Sequence, residues 1–203
     1  MINGHELPDT LLPKARDGDV TALGRLLELY RNYLRLMARS LIRGTLATRL
    51  DPSDLVQETY LEAHRDWGQF AGGSEGQLVA WLRQILVRNL ADQVKYHQAL
   101  GRDCQRQESL ETLLERSALH LEHALGANVS TPSAVAVRRE QAVLVADAIA
   151  RLPADYREVI LLLHAEHLRF EEVAQRLNRS PGATRMLWVR ALEKLHDELK
   201  DCQ

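Results

Sequence analysis

The fold is decided by the stretch Phe170-Glu-Glu-Val-Ala-Gln-Arg-Leu-Asn178-Arg-Ser180-Pro-Gly-Ala-Thr-Arg185-Met-Leu-Trp188. Asn178 stands where a first short helix must end, and asparagine tolerates the left-handed backbone conformation that ends many helices. Ser180 can then cap a second helix, and Pro181 suits its first position. The pattern predicts a helix, a tight turn and a second, longer helix.

The apolar residues of this stretch support a helix-turn-helix. Val173, Ala174 and Leu177 form one apolar stripe on the first helix, and Ala174 is small where two helices must cross closely. A helix-turn-helix presents its second helix to the DNA major groove. The stretch therefore indicates a DNA-binding protein.

Composition excludes several classes of protein. The chain has 203 residues, 45% of them hydrophobic, but no apolar run approaches the roughly 20 residues of a membrane span. Residues 1–13 lack the apolar core of a secretory signal. Two distant cysteines, Cys104 and Cys202, do not suggest a disulfide framework. We expect a cytoplasmic protein without membrane insertion.

Charge is sorted along the chain although the net charge is only −2. Residues 51–66 are acidic, whereas residues 80–106 and 176–200 are basic. Such sorting fits a basic partner at one place and phosphates at another. Ordinary solvated helix faces give the same pattern, so charge alone leaves both interpretations open.

The hydrophobic pattern predicts an all-α fold of two small helical domains, at about residues 10–100 and 133–200, joined by a linker at 101–132. Strand signals are absent from the sequence. In the first half, helices are predicted over 21–42, from the Asp51-Pro52 start to about Trp67, and over 77–98, with a glycine-rich loop at 68–76. In the second half, helices are predicted over 137–151 and 154–164, followed by the helix-turn-helix.

Two further motifs narrow the prediction. The first reads Asp54-Leu-Val-Gln57-Glu58-Thr-Tyr-Leu-Glu-Ala-His64, followed by Trp67, Phe70 and Trp81-Leu-Arg-Gln-Ile-Leu-Val-Arg88-Asn89-Leu-Ala-Asp92. The second is Leu152-Pro153 with Tyr156-Arg157-Glu158-Val159, just before the helix-turn-helix. Together they resemble the sigma-70 superfamily of transcription initiation factors, most closely its extracytoplasmic-function group, which keeps only domains 2 and 4. The resemblance covers about residues 12–100 and 135–198.

This resemblance implies a function. A protein of this family binds core RNA polymerase, through the β′ coiled coil and the β flap, and directs it to promoter DNA. Domain 2 reads and helps to melt the −10 element, and domain 4 reads the −35 element. The family has no catalytic site, cofactor or small-molecule substrate. Many members are held inactive by an anti-sigma factor, but no residue of this sequence indicates one.

The resemblance also implies which residues contact the polymerase. In the family this acidic helix docks on the β′ coiled coil, which places Asp54, Leu55, Val56, Gln57 and Glu58 in the interface. Glu62 is a further acid on the same helix. Asp54 could instead cap its own helix, or do both. Gln57 distinguishes polymerase binding from helix capping better than Asp54 does, because capping would give Gln57 no role.

The family reads the −10 element with the loop and helix that follow. The basic and polar candidates are Arg83, Arg88, Asn89 and Lys95, and Arg88 and Lys95 share a helix face because they are seven residues apart. Trp81 and Phe70 fit the core better than base stacking, since aromatic residues at helical apolar positions usually pack.

For the −35 element, the start of the second helix meets the base edges. The residues expected at this DNA interface are Arg179, Ser180, Gly182, Thr184, Arg185 and Arg190. Arg185 is the best base-reading candidate, because its guanidinium matches guanine. Arg179 and Arg190 suit phosphates. Thr184 stands where the family often has valine, which suggests burial, and the same helix's Trp188, Leu192, Leu195 and Leu199 are expected to be buried.

Other functions find less support in the sequence. His120 and His123, like His164 and His167, are spaced i, i+3, but no zinc-binding pattern occurs, so no metal site is predicted. No motif of an enzyme occurs. Two alternatives remain: a helix-turn-helix regulator that does not associate with core polymerase, and a helical scaffold that binds only proteins.

Overall fold

The computed structural model describes residues 7–42, 44–100 and 132–200, and these residues fold into helices without a β-strand. The predicted all-α fold of two helical domains is confirmed. The linker predicted at 101–132 lies outside the described residues except for Pro132, as do Cys104, His120, His123 and Cys202.

The described part of the first domain contains five α-helices and two 3-10 turns. Their bounds are α1 Pro8–Arg16, α2 Val20–Leu29, α3 Arg31–Leu41, the 3-10 turn Gly44–Thr48, α4 Pro52–Arg65, the 3-10 turn Trp67–Gln69 and α5 Glu75–Leu100. The Asp51 carboxylate accepts the Ser53 N–H at 2.6 Å at the start of α4, as the sequence predicts.

The helix predicted over residues 21–42 is in fact two helices, so that prediction is wrong at Tyr30. This residue leaves the helical conformation (φ −99°, ψ 3°) between α2 and α3, and its N–H bonds to the Leu27 carbonyl at 3.1 Å. Its side chain is fully buried, and its hydroxyl donates to Glu75 at 3.1 Å. Tyr30 therefore packs at a corner of the chain, which a periodic apolar pattern does not reveal.

The second domain contains four α-helices. Their bounds are α6 Pro132–Arg151, α7 Ala154–Ile160, α8 Phe170–Arg176 and α9 Pro181–Lys200. The helix predicted over 154–164 changes to a π-helical turn at Leu161–Ala165. A residue with a left-handed backbone, His167 (φ 54°), then redirects the chain into the helix-turn-helix.

Buried apolar side chains form two clusters. The larger lies among the helices of the first domain and includes Leu26, Leu34, Met37, Leu82 and Leu86. The smaller lies in the second domain and includes Leu152, Val159, Leu162 and Val173. Ala142 and Ala146 of α6 join the larger cluster, so the two domains are in contact.

Candidate partner and nucleic-acid interfaces

The outward face of α4 carries the acidic residues that the sequence singles out. Asp54, Gln57 and Glu58 are all exposed. Asp51 caps the helix, and within the described residues Asp54 and Gln57 have no hydrogen-bond partner. Glu58 accepts a hydrogen bond from Gln93 of α5 at 3.1 Å. Helix formation therefore leaves the polar groups of Asp54 and Gln57 available to another molecule.

Two residues predicted in the same interface face the other way. Leu55 and Val56 are each 4% exposed and belong to the core of the first domain. The prediction that their side chains contact a partner is therefore corrected, because they attach α4 to its own bundle. The pattern missed Leu61, which is 74% exposed and lies one turn beyond Gln57. We add Leu61 to this face, and Asp54, Gln57, Glu58 and Leu61 are called the α4 face below.

The basic residues predicted on α5 are only partly free. Arg88 is exposed, but it forms an ion pair with Glu62 of α4, whose side chain is only 13% exposed. Lys95 is exposed and pairs with Asp92 on its own helix at 3.2 Å. Arg83 is half-buried and has no hydrogen-bond partner in the described part of the chain. An approaching phosphate would thus compete with carboxylates for Arg88 and Lys95.

Asn89 does not lie on this surface. It is 7% exposed, and its Nδ2 is buried without a hydrogen-bond partner among the described residues. The prediction that Asn89 contacts DNA is corrected for this structure, because its side chain is buried. Asn89 follows the exposed Arg88 in the sequence. Successive residues of a helix point in different directions, so Asn89 does not share the exposure of Arg88.

The loop between α4 and α5 rests on a cluster of three aromatic rings. The ring centroid of Phe70 lies 5.2 Å from that of Trp67 and 5.2 Å from that of Trp81. The Trp67 indole N–H donates to the Ala15 carbonyl at 3.0 Å. All three rings pack against the larger core cluster, as expected for Phe70 and Trp81.

A glycine lets this loop turn over the rings. A Cβ atom at Gly72 would lie 2.5 Å from the Phe70 ring, closer than packing allows. The Gln77 side chain then accepts the Gly73 N–H at 2.8 Å. The loop that is predicted to read the −10 element therefore has a defined shape.

The helix-turn-helix has the predicted form. Asn178 has φ 51°, the left-handed conformation, and the Arg179 N–H bonds back to the Ala174 carbonyl at 2.9 Å. The Ser180 hydroxyl accepts the Ala183 N–H at 3.2 Å and caps α9. Arg169 provides no side-chain cap for α8. The Glu172 carboxylate accepts the Arg169 N–H at 2.7 Å instead, which satisfies one backbone N–H group at the start of this helix.

The start of α9 exposes some of its predicted contacts and buries one. Ser180, Gly182 and Arg185 are exposed. Thr184 is fully buried, and its hydroxyl donates to the Ser180 carbonyl at 3.0 Å. The prediction that Thr184 contacts DNA is therefore corrected, in line with its place at a position where valine is common.

Two of the three arginines of this surface are already paired with carboxylates. Arg179 bonds Asp155 at 2.6 Å. The Arg185 guanidinium lies 3.7 Å from Glu171 and 5.7 Å from the centroid of the Phe170 ring. Arg190 is exposed and has no partner among the residues that the structure describes. The surface is basic, but two of its cations must exchange partners to bind DNA.

The apolar side of α9 is less buried than predicted. Trp188, Leu195 and Leu199 are half-buried, whereas Leu192 is 36% exposed, so its prediction is corrected. The Trp188 indole N–H donates to Nε2 of His164 at 3.3 Å. Partial burial lowers the pKa of His164, and the neutral ring can accept this hydrogen bond.

Neither a metal centre nor a membrane span was found in the described ranges. No group of three or more His, Cys, Asp or Glu side chains there could hold a metal ion. No helix within those residues is long and apolar enough to cross a membrane.

Comparison with known proteins agrees with this geometry. Residues 29–99 match the family model "Sigma-70 region 2", and residues 142–195 match "Sigma-70, region 4". The first match includes the α4 face and α5, and the second includes the whole helix-turn-helix.

Several curated proteins are similar over almost the whole chain. The chain is 28% identical to the ECF RNA polymerase sigma factor SigD of Mycobacterium tuberculosis, over 94% of this chain and 83% of that protein. It is also 28% identical to the ECF RNA polymerase sigma-E factor of Haemophilus influenzae, over 94% of both chains. A solved structure of CnrH in complex with the cytosolic domain of CnrY is 20% identical, covers 97% of this chain and 99% of that chain, and has a TM-score of 0.33.

Proposed function

The chain belongs to the sigma-70 family, as an RNA polymerase sigma factor of the extracytoplasmic-function type, and from that premise we propose that its domains divide promoter recognition between them. The first domain, α1–α5, binds core RNA polymerase and reads and helps to melt the −10 element. The second domain, α6–α9, reads the −35 element. Residues 101–131 connect the two.

The α4 face carries the proposal for polymerase binding. Asp54 and Gln57 are exposed and unpartnered among the described residues, although polar side chains on a helix often bond locally. Asp51 already caps the helix, which removes the alternative role of Asp54. An acidic face with one exposed leucine at its edge fits a basic, partly apolar helical partner such as the β′ coiled coil.

For the −10 element we propose the loop over the aromatic cluster together with Arg83, Arg88 and Lys95 of α5. Basic side chains along one helix can follow a phosphate backbone, while the shaped loop next to them can hold an unstacked base. The Arg88–Glu62 pair joins this surface to the acidic helix α4. Polymerase and DNA would therefore bind at adjacent faces of one bundle.

For the −35 element we propose α9, with Arg185 at the base edges and Arg179, Ser180 and Arg190 at phosphates. The exposed start of α9 has the Ser180 cap and the Gly182 backbone, so the chain can approach a phosphate closely. The second domain also offers the polymerase a surface for the β flap. This work takes place in the cytoplasm, where the polymerase is, and requires no cofactor.

A binding assay with purified core polymerase tests the α4 face. We expect Gln57→Ala to weaken core binding at least about tenfold, the loss that roughly 1.4 kcal/mol produces. Gln84→Ala, a substitution of another exposed glutamine on α5, serves as the matched control and should bind as the unmodified protein does. Equal binding by all three proteins would remove Gln57 from the interface.

A further inference from the structure

The loop between α4 and α5 has no positive charge of its own. Residues 68–76 contain neither lysine nor arginine, and their one charged residue is the acid Glu75. A single strand whose unstacked base enters this loop carries a phosphate on each side of that base, and proteins that hold single strands neutralise such phosphates with basic side chains. The positive charge at this loop must therefore come from another element.

Helix α5 supplies little of that charge. Arg88 and Lys95 are already bound to the carboxylates of Glu62 and Asp92. Arg83 lies about 10 Å along the helix axis from Gly76, at about 1.5 Å per residue. These residues can follow the strand along α5, but the loop itself needs a nearer cation.

Helix α1 places an arginine at the loop. The Trp67 indole N–H donates to the Ala15 carbonyl at 3.0 Å, which fixes the end of α1 beside the aromatic cluster. The next residue is Arg16, and a Cβ atom at Gly73 would lie 3.6 Å from its Nη1. The guanidinium therefore lies against the loop. Arg16 belongs to none of the motifs and precedes residues 29–99, which match the region 2 model.

Arg16 is available to a ligand. Its side chain is exposed, and within the described residues it has no hydrogen-bond or ion-pair partner. The acids Asp17 and Asp19 follow it, but Asp19 accepts the N–H groups of Thr21 and Ala22, and neither acid pairs with Arg16 in the part of the chain that the structure describes. An anion at the loop would thus meet an unpaired cation.

Helix stabilisation does not account for this position. A basic residue in the last turn of a helix interacts favourably with the helix dipole, and both Lys14 and Arg16 can do so in α1. That role requires only a positive charge near the last carbonyl groups. It gives no reason for the guanidinium to lie against Gly73.

The backbone of the loop leaves the binding of an anion to this arginine. The Gln77 side-chain oxygen accepts the N–H of Gly73 at 2.8 Å and that of Ser74 at 3.3 Å. These two donors are therefore occupied and do not form a backbone cradle for a phosphate. The same hydrogen bonds hold Gly73 in place beside Arg16.

We propose that Arg16, at the edge of the loop by Gly73, is a phosphate-binding site for the single DNA strand whose unstacked base the loop holds. The ligand is a phosphodiester, and the planar guanidinium can donate two parallel N–H groups to its oxygens. The choice of this ligand rests on the proposed function of the loop in reading the −10 element. The site would retain the strand after the duplex opens.

The salt dependence of DNA binding tests the site. Fluorescence anisotropy measures the affinity of the full chain for labelled single-stranded DNA of random sequence at several salt concentrations. Arg16→Gln should weaken binding about threefold at low salt and reduce the slope of log K against log salt by about 0.7, the value for one phosphate contact to a single strand. Arg16→Lys should keep the slope, because lysine also neutralises a phosphate.

A matched control comes from the same helix. Lys14→Gln makes the same change of net charge on α1, but Lys14 already interacts with another group of the chain and points about 200° away from Arg16 around the helix. It should leave affinity and slope unchanged. The duplex of the same DNA should show no change of slope with Arg16→Gln. Circular dichroism should show equal helix content for all variants.

Each other result has a definite meaning. An unchanged slope for Arg16→Gln, or an equal reduction for Lys14→Gln, would overturn the site. An equal reduction with single strand and duplex would assign Arg16 to duplex DNA and overturn the proposed ligand. No run-off transcript from the unmodified protein with core polymerase would count against the proposed function, and the salt slope would still decide the phosphate site.

Discussion

The α4 face and the recognition surface of α9 differ in how their charged groups are used within the chain. On the α4 face, Asp54 and Gln57 have no partner among the described residues. On α9 and its surroundings, Arg179 and Arg185 are already bound to Asp155 and Glu171. Asp54 and Gln57 can therefore bind another molecule directly, whereas Arg179 and Arg185 must first release their carboxylate partners before they bind DNA.

This difference has a physical consequence. A preformed acidic face binds a basic partner without first breaking contacts, which favours fast association. A cation already held by a carboxylate gains less from a phosphate, so its contribution to DNA affinity is reduced. We therefore expect strong polymerase binding and weak binding of the free protein to DNA, with the polymerase bringing the two together.

The two domains also differ in the size of their cores, and a substitution in the larger core gives the largest expected effect. Leu82 is fully buried in the first domain. Leu82→Ala should lower the free energy of unfolding by about 2–5 kcal/mol, because it removes buried methyl groups and leaves a cavity. Urea denaturation measures the change.

Leu61→Ala is its matched control on the α4 face. Because Leu61 is 74% exposed, this substitution should change the free energy of unfolding by less than about 0.5 kcal/mol. It should nevertheless weaken core binding. A stability loss as large as that of Leu82→Ala would show that Leu61 packs inside the protein.

The next effect concerns the recognition surface. Arg185→Ala should cost about 1–3 kcal/mol of binding to the −35 element, the usual contribution of an arginine that pairs with guanine. Core binding should not change, since Arg185 belongs to the second domain and not to the α4 face. Fluorescence anisotropy with a labelled −35 duplex measures the loss, and Lys194→Ala on the same helix is the control. Equal losses for the two variants would assign Arg185 a general electrostatic role.

A smaller effect tests the pairing of these arginines directly. Glu171→Gln should release Arg185 and raise the affinity for the same duplex about twofold to fivefold, the range of an exposed ion pair. Glu193→Gln makes the same change of net charge on α9 without touching Arg185. If both variants gained equally, net charge and not the release of Arg185 would explain the result.

The smallest effect is a pH dependence in the second domain. The pKa of His164 is lowered in the folded protein, so the unfolded chain binds a proton more readily as the pH falls below about 6.5. The free energy of unfolding should therefore decrease between pH 7.5 and 5.5. His164→Gln should remove part of this decrease, and His196→Gln, on the exposed side of α9, should not. Urea denaturation at both pH values distinguishes the two variants.

The sequence predicted those parts of the fold that depend on local signals. The Asp51 cap, the left-handed Asn178 and the Ser180 cap each follow from one residue's own chemistry, and each was confirmed. The break at Tyr30 and the π-helical turn depend on packing between helices, which a periodic pattern does not contain.

The sequence predicted which types of residue form the candidate sites, but not which of their side chains point outward. A motif names consecutive residues, whereas a helix turns each by about 100°, so half of such a run faces inward. Leu55, Val56, Asn89 and Thr184 are buried for this reason. Leu61 stands inside the first motif, but only the packed structure shows that its side chain is exposed.

Run-off transcription with purified core RNA polymerase and genomic promoter fragments tests the central claim most directly. The account predicts a transcript that depends on this protein, that Gln57→Ala reduces together with core binding, and that Arg185→Ala reduces while core binding is kept. No transcript from any fragment, together with no binding to core polymerase, would contradict the account.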